Sequence, residues 1–216
     1  MRGSVACLLL ALATTRAAAQ QPSATVAVLP FTAEQSFGLE PEAYRALQLG
    51  VADLLASELG RSPGVVVADR RRTAEAAGSG RLDAEAARRA GAAVGATYAV
   101  LGNVVDAFGT VRVNARVVDV SSGRYLTSAT NADPALQGRD HLHQGVQAVA
   151  EALLRSLGLP PAPPRAPIST EAITSYGAGL EAERAGDRTA AAGHFAHARA
   201  LAPGFTEATE AAARAR

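Results

Sequence analysis

The sequence predicts an α/β unit, a mixed β-sheet with helices packed on it, followed by an all-α helical hairpin. Three observations predict this. Between residues 25 and 158, short β-rich apolar runs alternate with helical-period segments in the order β-α-β-α-α-β-β-β-α. The stretch LPPAPPRAP at 159–167 then interrupts every pattern; five prolines there cannot form a helix or a central strand. Beyond it the period is helical again.

The N-terminal stretch MRGSVACLLLALATTRAAAQQPS reads as a secretory signal over residues 1–19. Arg2 supplies positive charge, Val5 to Ala13 are apolar, and Ala17-Ala18-Ala19 offers a small-residue cleavage site. The apolar run is too short to span a bilayer. The one cysteine, Cys7, lies inside it, so the exported chain is expected to lack disulfides, thiol nucleophiles and thiolate ligands.

TVAVLPF (25–31) is a strand of the kind buried on both faces. PEAYRALQLGVADLLASELG (41–60) places Tyr44, Leu47, Val51, Leu54, Leu55 and Leu59 on one helical stripe, with Pro41 at its start and Gly60 expected as its C-cap. GVVVADR (64–70) is a second strand, and residues 70–77 form a short helix. Asp83 caps the alanine-rich AEAARRAGAAVG. From Thr97 the chain reads as three strands joined by turns at 106–109 and 121–123. Val111, Val113, Ala115 and Val117 alternate with Arg112, Asn114 and Arg116, and the slip at Val117-Val118 predicts a bulge or burial on both faces. Residues 139–158 are an amphipathic helix with Leu142, Val146, Val149, Leu153 and Leu157 inward.

Composition narrows the chemistry. The chain is 48% hydrophobic and 4% aromatic with no tryptophan, so its core is expected to be aliphatic and alanine-rich. The formal net charge is +1; without Arg2 and Arg16, 19 arginines face 20 acids, a balance of −1. Neither value makes a nucleic-acid footprint. Every basic residue is arginine. A P-loop and a Schiff-base enzyme, which need lysine, are thereby excluded.

GRSPG (60–64) matches the G-x-S-x-G pattern of hydrolase nucleophiles. A nucleophile elbow runs strand–turn–helix, whereas Ser62 follows a helix and precedes a strand. The next residue, Pro63, has no N–H for an oxyanion. The stretch is read as a loop. His194 and His197 are one helical turn apart, but no acid or cysteine accompanies them, and a solvated surface is expected. His141 and His143 flank Leu142 and are assigned no role. Arg70-Arg71-Arg72 could hold an acidic partner or a phosphate at a helix start, though a solvated face is the plainer reading. Gly78-x-Gly80 and Gly91-x-x-x-Gly95 are too weak for a nucleotide site. No catalytic residue, metal ligand or cofactor is assigned.

Residues 173–205 carry the pattern of a tetratricopeptide repeat. With Ala172 as the first residue of the unit, Gly179 falls where two helices approach closely and Gly186 at the turn between them. Ala191 is the small residue at the crossing, Phe195, Ala198 and Leu201 pack the second helix, and Pro203 ends it. Ser175 and Ala178 depart from the large apolar residues usual in the first helix. From Thr206 a single capping helix remains. One repeat cannot bury its own apolar face. It must pack on the α/β unit, pair with another chain or dock a partner.

VAVLPF (26–31), LGVADLLASEL (49–59), VVVADR (65–70), AARRAGAAVGATYAVLGNV (86–104) and VRVNARVVDVSSGRYL (111–126) follow one another in order and spacing. Together they resemble the bacterial envelope domain shared by the N-terminal part of TolB, the curli-secretion protein CsgG and the flagellar protein FlgO. With the proline linker and the repeat, the chain resembles bacterial TolB-like repeat proteins. The resemblance implies a location in the periplasm or on the periplasmic face of the outer membrane. It also implies binding of protein partners, self included, rather than catalysis, and no nucleic acid. The TolB propeller, the channel strands and the curli lipid-anchor cysteine have no counterpart here, so pore formation does not carry over. The expected organisation is a signal at 1–19, a TolB/CsgG-like unit at 20–158, a linker at 159–168 and the repeat with its capping helix at 169–216.

Overall fold

The computed structural model describes residues 23–33 and 36–215; the expected signal, with Cys7, lies outside the described residues. Among the described residues the strands are β1 (Ala24–Val28), β2 (Val65–Val67), β3 (Tyr98–Ala107), β4 (Thr110–Asp119) and β5 (Tyr125–Thr130). They form one mixed sheet in the order β2-β1-β3-β4-β5. β1 is parallel to β2 and β3, and β3, β4 and β5 form an antiparallel meander. The helices are α1 (Pro41–Gly60), α2 (Arg70–Ala77), α3 (Ala84–Ala93), α4 (Leu142–Ser156), α5 (Thr170–Ala185), α6 (Arg188–Leu201) and α7 (Thr206–Arg214). The chain is of the α/β class with a helical C-terminal part.

Alternation along the strands sets the layers. Val100, Val104, Val113 and Val117 share a core with Leu54, Leu55, Val149 and Leu153, which places α1 and α4 on one face. Leu29, Ala99, Leu101 and Val118 pack with Ala77, Ala87 and Ala90 of α2 and α3 on the other. At the expected slip both readings hold: the β4–β5 register shifts between Val117 and Val118, and ordinary alternation buries these two neighbours on opposite faces, Val117 in the first core and Val118 in the second. Phe108 and Gly109, at φ 52° and 97°, make the two-residue turn between β3 and β4. Paired left-handed residues give a turn twist that suits the flanking strands.

Asp83 caps α3 as expected, its side chain accepting from the Ala86 amide; Asp69 does the same for α2 through Arg72. One cap differs. α1 continues through Gly60 and ends on Arg61 in a right-handed conformation, so Gly60 is not the C-cap. A side chain at Gly60 would meet Val67 at 2.9 Å; glycine there lets α1 close onto β2.

The helical hairpin of α5 and α6 packs on the outer side of α1. Ile173, Tyr176, Phe195, Phe205 and Ala211 join the same core as the sheet. Of the three ways left open for covering the hairpin's apolar face, this is the one observed.

Candidate functional site

α1 carries two faces. The predicted stripe faces the sheet. Behind it Ala46, Gly50, Asp53 and Ser57 form a second row at helical spacing, and α5 and α7 dock on that row. A Cβ on Gly177 would stand 1.8 Å from the Ala46 carbonyl oxygen, and one on Gly50 would stand 2.5 Å from the Ile173 carbonyl oxygen. The two helix backbones therefore touch where both sequences have glycine. The Tyr176 hydroxyl donates to Asp53 Oδ2 at 2.6 Å, and Ser57 Oγ bonds Glu207.

Two buried polar clusters fasten this contact. In the first, Arg70 Nη1 lies 2.6 Å from Asp53 Oδ2, the same oxygen that accepts from the Tyr176 hydroxyl. Burial pushes the Asp53 carboxyl up, against the lowering influence of Arg70 and the Tyr176 hydrogen bond. Burial and the Asp53 charge hold the Tyr176 phenol well above its usual 10, so it stays a donor. In the second, Glu58 accepts from Arg61 Nη1 at 2.9 Å, and Arg165 Nε lies 2.6 Å from its Oε1. His143 completes it, with Nε2 at 3.0 Å from Glu58 Oε1. The Ile168 amide donates to His143 Nδ1 at 2.8 Å. That bond makes Nδ1 an acceptor, so the proton of the neutral ring sits on Nε2 and is donated to Glu58. Burial raises the Glu58 carboxyl, but the His143 hydrogen bond and the Arg165 and Arg61 guanidiniums outweigh it and leave it lowered. Arg165 also reaches Glu207 of α7 at 2.8 Å. The proline-rich segment is thus strapped to α1 and α4 at several points, Ser62 Oγ to the Pro160 carbonyl at 2.6 Å among them.

His143 corrects the sequence reading. The sequence gives it no role, yet it is fully buried and joins α4, α1 and the strap. Its signal was in the sequence: it lies one turn before Val146 on a helix face otherwise filled by core residues. Arg70 is corrected too. Partly exposed, it pairs with Asp53, while Arg71 and Arg72 are exposed as the plainer reading expects. Ser62 is 2% exposed and its hydroxyl is committed to Pro160. His194 and His197 lie on the exposed side of α6.

The residues singled out in the repeat pattern fall as follows. Gly179 faces Phe195, whose ring would stand 2.4 Å from an added Cβ. Gly186 closes α5 in the left-handed conformation at φ 81°. Ala191, Phe195 and Ala198 are fully buried, and Pro203 is exposed just after α6. Tyr176, which the pattern did not single out, stacks at tilted angles on both Phe195 and Phe205, with centroids 5.6 and 4.9 Å away.

Docking the hairpin on α1 leaves a cleft of about 750 Å³ between them. Its floor is the chain leaving β1, Val28 to Pro30, with Leu49 of α1 and Leu180 of α5. α2 and α6 both begin on its walls. It lies beyond the carboxyl ends of the parallel strands β1 and β2, beside the point where strand order reverses, the usual position for ligands in open α/β sheets. Five arginines line it: Arg70, Arg71, Arg184, Arg188 and Arg214. Asp53, Asp69 and Glu183 are its acids.

The sheet order and this cleft define an open, mixed α/β architecture with a docked helical hairpin. No family model matches the chain, and no curated protein matches it. Solved structures do. TolB from Acinetobacter baumannii is similar at 21% identity and a TM-score of 0.44, over 66% of this chain and 31% of that one. E. coli LpoB is similar at 14% identity and a TM-score of 0.40, over 50% of this chain and 56% of that one. The LpoB C-terminal domain from Escherichia coli matches at 11% identity and a TM-score of 0.40, over 50% and 81%. The chain thus spans about a third of the TolB structure.

Proposed function

We propose that this chain is a non-catalytic exported envelope protein that captures a protein partner. The α/β unit at 20–158 and the tetratricopeptide-type repeat at 169–216 act together, held by the strap at 159–168. The observation that carries the reading is the cleft, which neither part forms alone. Its floor comes from β1 and α1 and its opposite wall from α5, α6 and α7. The buried clusters around Asp53 and Glu58 hold the two parts in the geometry that keeps it open. Ser62 lends no support to hydrolysis: its hydroxyl is buried and bonded to a carbonyl.

The test is photo-crosslinking in intact cells. A photoreactive residue replaces Ala74 or Glu183 in the cleft, or Thr130 on β5 as a control. The expected result is a discrete protein adduct from the cleft positions that Thr130 does not give. Equal adduct patterns from all three positions would overturn the reading. Export is checked by fractionation, with the protein expected in the periplasm or with the outer membrane.

A second reading, an oligomeric outer-membrane assembly factor, draws on one feature. β5 is an edge strand with Tyr125 and Leu126 each 49% exposed, a template for strand pairing. Light scattering separates the two: a defined oligomer that tyrosine-to-lysine replacement at 125 dissolves supports this second reading, and a monomer removes it.

A further inference from the structure

We propose that the cleft takes an acidic peptide segment of the partner, with spaced carboxylates around one apolar side chain. The inference rests on the capture reading above and names its chemistry. Charge comes first. Of the five arginines lining the cleft, Arg70 is consumed by Asp53 and Arg71 stands 3.8 Å from Glu75. Among the described residues Arg184, Arg188 and Arg214 have no carboxylate within ion-pair distance. They come from three different elements: the last turn of α5, the first turn of α6 and the end of α7. Arg184 and Arg188 flank the turn between α5 and α6, and the fold brings Arg214 of α7 to them. Guanidinium groups recognise carboxylates in a bidentate manner.

Shape and lining choose between anions. Between the arginines the floor is apolar, with Pro30, Leu49 and Leu180. A free phosphate has no use for that floor. Asp69 and Glu183 stand on the same walls and repel a compact polyanion. An extended segment avoids them because its charges are spaced and its backbone N–H groups can be offered to those carboxylates. An apolar side chain then covers the floor, and acids on either side reach the arginines.

The test uses the exported chain, residues 20–216, and a library of displayed random decapeptides. We expect enriched peptides with Asp or Glu on both sides of Leu, Ile, Val or Phe. Synthetic versions should bind at least ~10-fold more weakly to the triple variant Arg184→Glu, Arg188→Glu, Arg214→Glu, and weaken as salt rises. All three positions are exposed, so the variant is expected to melt as the parent does. A triple Arg→Gln variant, with an intermediate loss, guards against a fold effect of reversed charge. Enriched peptides without acidic bias, peptides indifferent to both variants, or no enrichment at all would overturn the inference. So would arginine-dependent stabilisation by inorganic phosphate with no acidic enrichment, which would make the cleft a phosphate site. None of these outcomes touches the crosslinking result, so the capture reading stands or falls separately.

Discussion

Replacing Gly177 by alanine perturbs the hairpin contact at its tightest point. The new Cβ would stand 1.8 Å from the Ala46 carbonyl oxygen and 3.0 Å from the Gly50 nitrogen. A normal carbon–oxygen contact is about 3.3 Å, so α5 must retreat by about 1.5 Å along that line. Both neighbours are backbone atoms of α1 and cannot swing aside. Overpacking of this kind costs about 1–3 kcal/mol. The retreat also pulls the Tyr176 hydroxyl, now 2.6 Å from Asp53, beyond bonding reach, which adds about 1–2 kcal/mol. Helix propensity returns about 1 kcal/mol, because alanine suits a helix better than glycine. The expected net loss is about 1–4 kcal/mol. Gly193 of α6 is the matched control: an added Cβ there meets no atom within 4 Å, so Gly193→Ala should gain up to about 1 kcal/mol. Urea unfolding followed by far-ultraviolet circular dichroism reads both. If Gly177→Ala is as stable as Gly193→Ala, the helices do not meet at this crossing and the shared core is refuted.

Other outcomes follow from the same geometry. Glu58 titrates below its ordinary 4.5 in the folded chain, so the stability it contributes is full above that value and is lost as pH falls through the lowered one. Glu58→Gln should therefore show a shallower acid limb in stability measured from pH 6 down to pH 2; an unchanged limb would contradict the assignment, and Asp53, shifted upward, works with the opposite sign. His143→Leu removes one of three partners of the Glu58 carboxylate, which keeps Arg61 and Arg165, and leaves the Ile168 amide without an acceptor; it should cost about 1–3 kcal/mol in a thermal melt. A loss under 1 kcal/mol would show that the strap does not depend on it. Phe108 is 82% exposed at φ 52°, so Phe108→Asn should raise stability by about 1 kcal/mol by relieving the turn. A fall instead would mean that its stacking on Phe37 outweighs the strain.

Much of this fold is legible in the sequence because its signals are local. The alternation of β4, the slip at Val117-Val118, the Asp83 cap and the Pro41 start each follow from a few neighbouring residues. The docking of the hairpin is not local. The row Ala46, Gly50, Asp53 and Ser57 is visible on α1 once sought, but small and polar residues at helical spacing look like a solvated face. The matching Gly177 and Tyr176 lie over a hundred residues away. His143 is hidden for the same reason: a histidine at a helix start reads as surface until Glu58 and the Ile168 amide are brought to it. The arginines of the cleft fall into two local groups, Arg70-Arg71 and Arg184 with Arg188, and three-dimensional closure joins these to each other and to Arg214. The repeat pattern did mark Gly179 and Phe195, because both belong to one helical pair whose contacts are close in sequence.

The central claim is that the hairpin is an integral layer of the fold, so that the cleft is preformed. Native-state hydrogen exchange of the α5 amides from Ala172 to Leu180, compared with those of β1 and β3, tests it directly. The account predicts that the slowest α5 amides exchange through the same global opening as the sheet, with equal free energies and equal sensitivity to denaturant. Exchange of α5 through a separate, much cheaper opening while the sheet stays protected would contradict it.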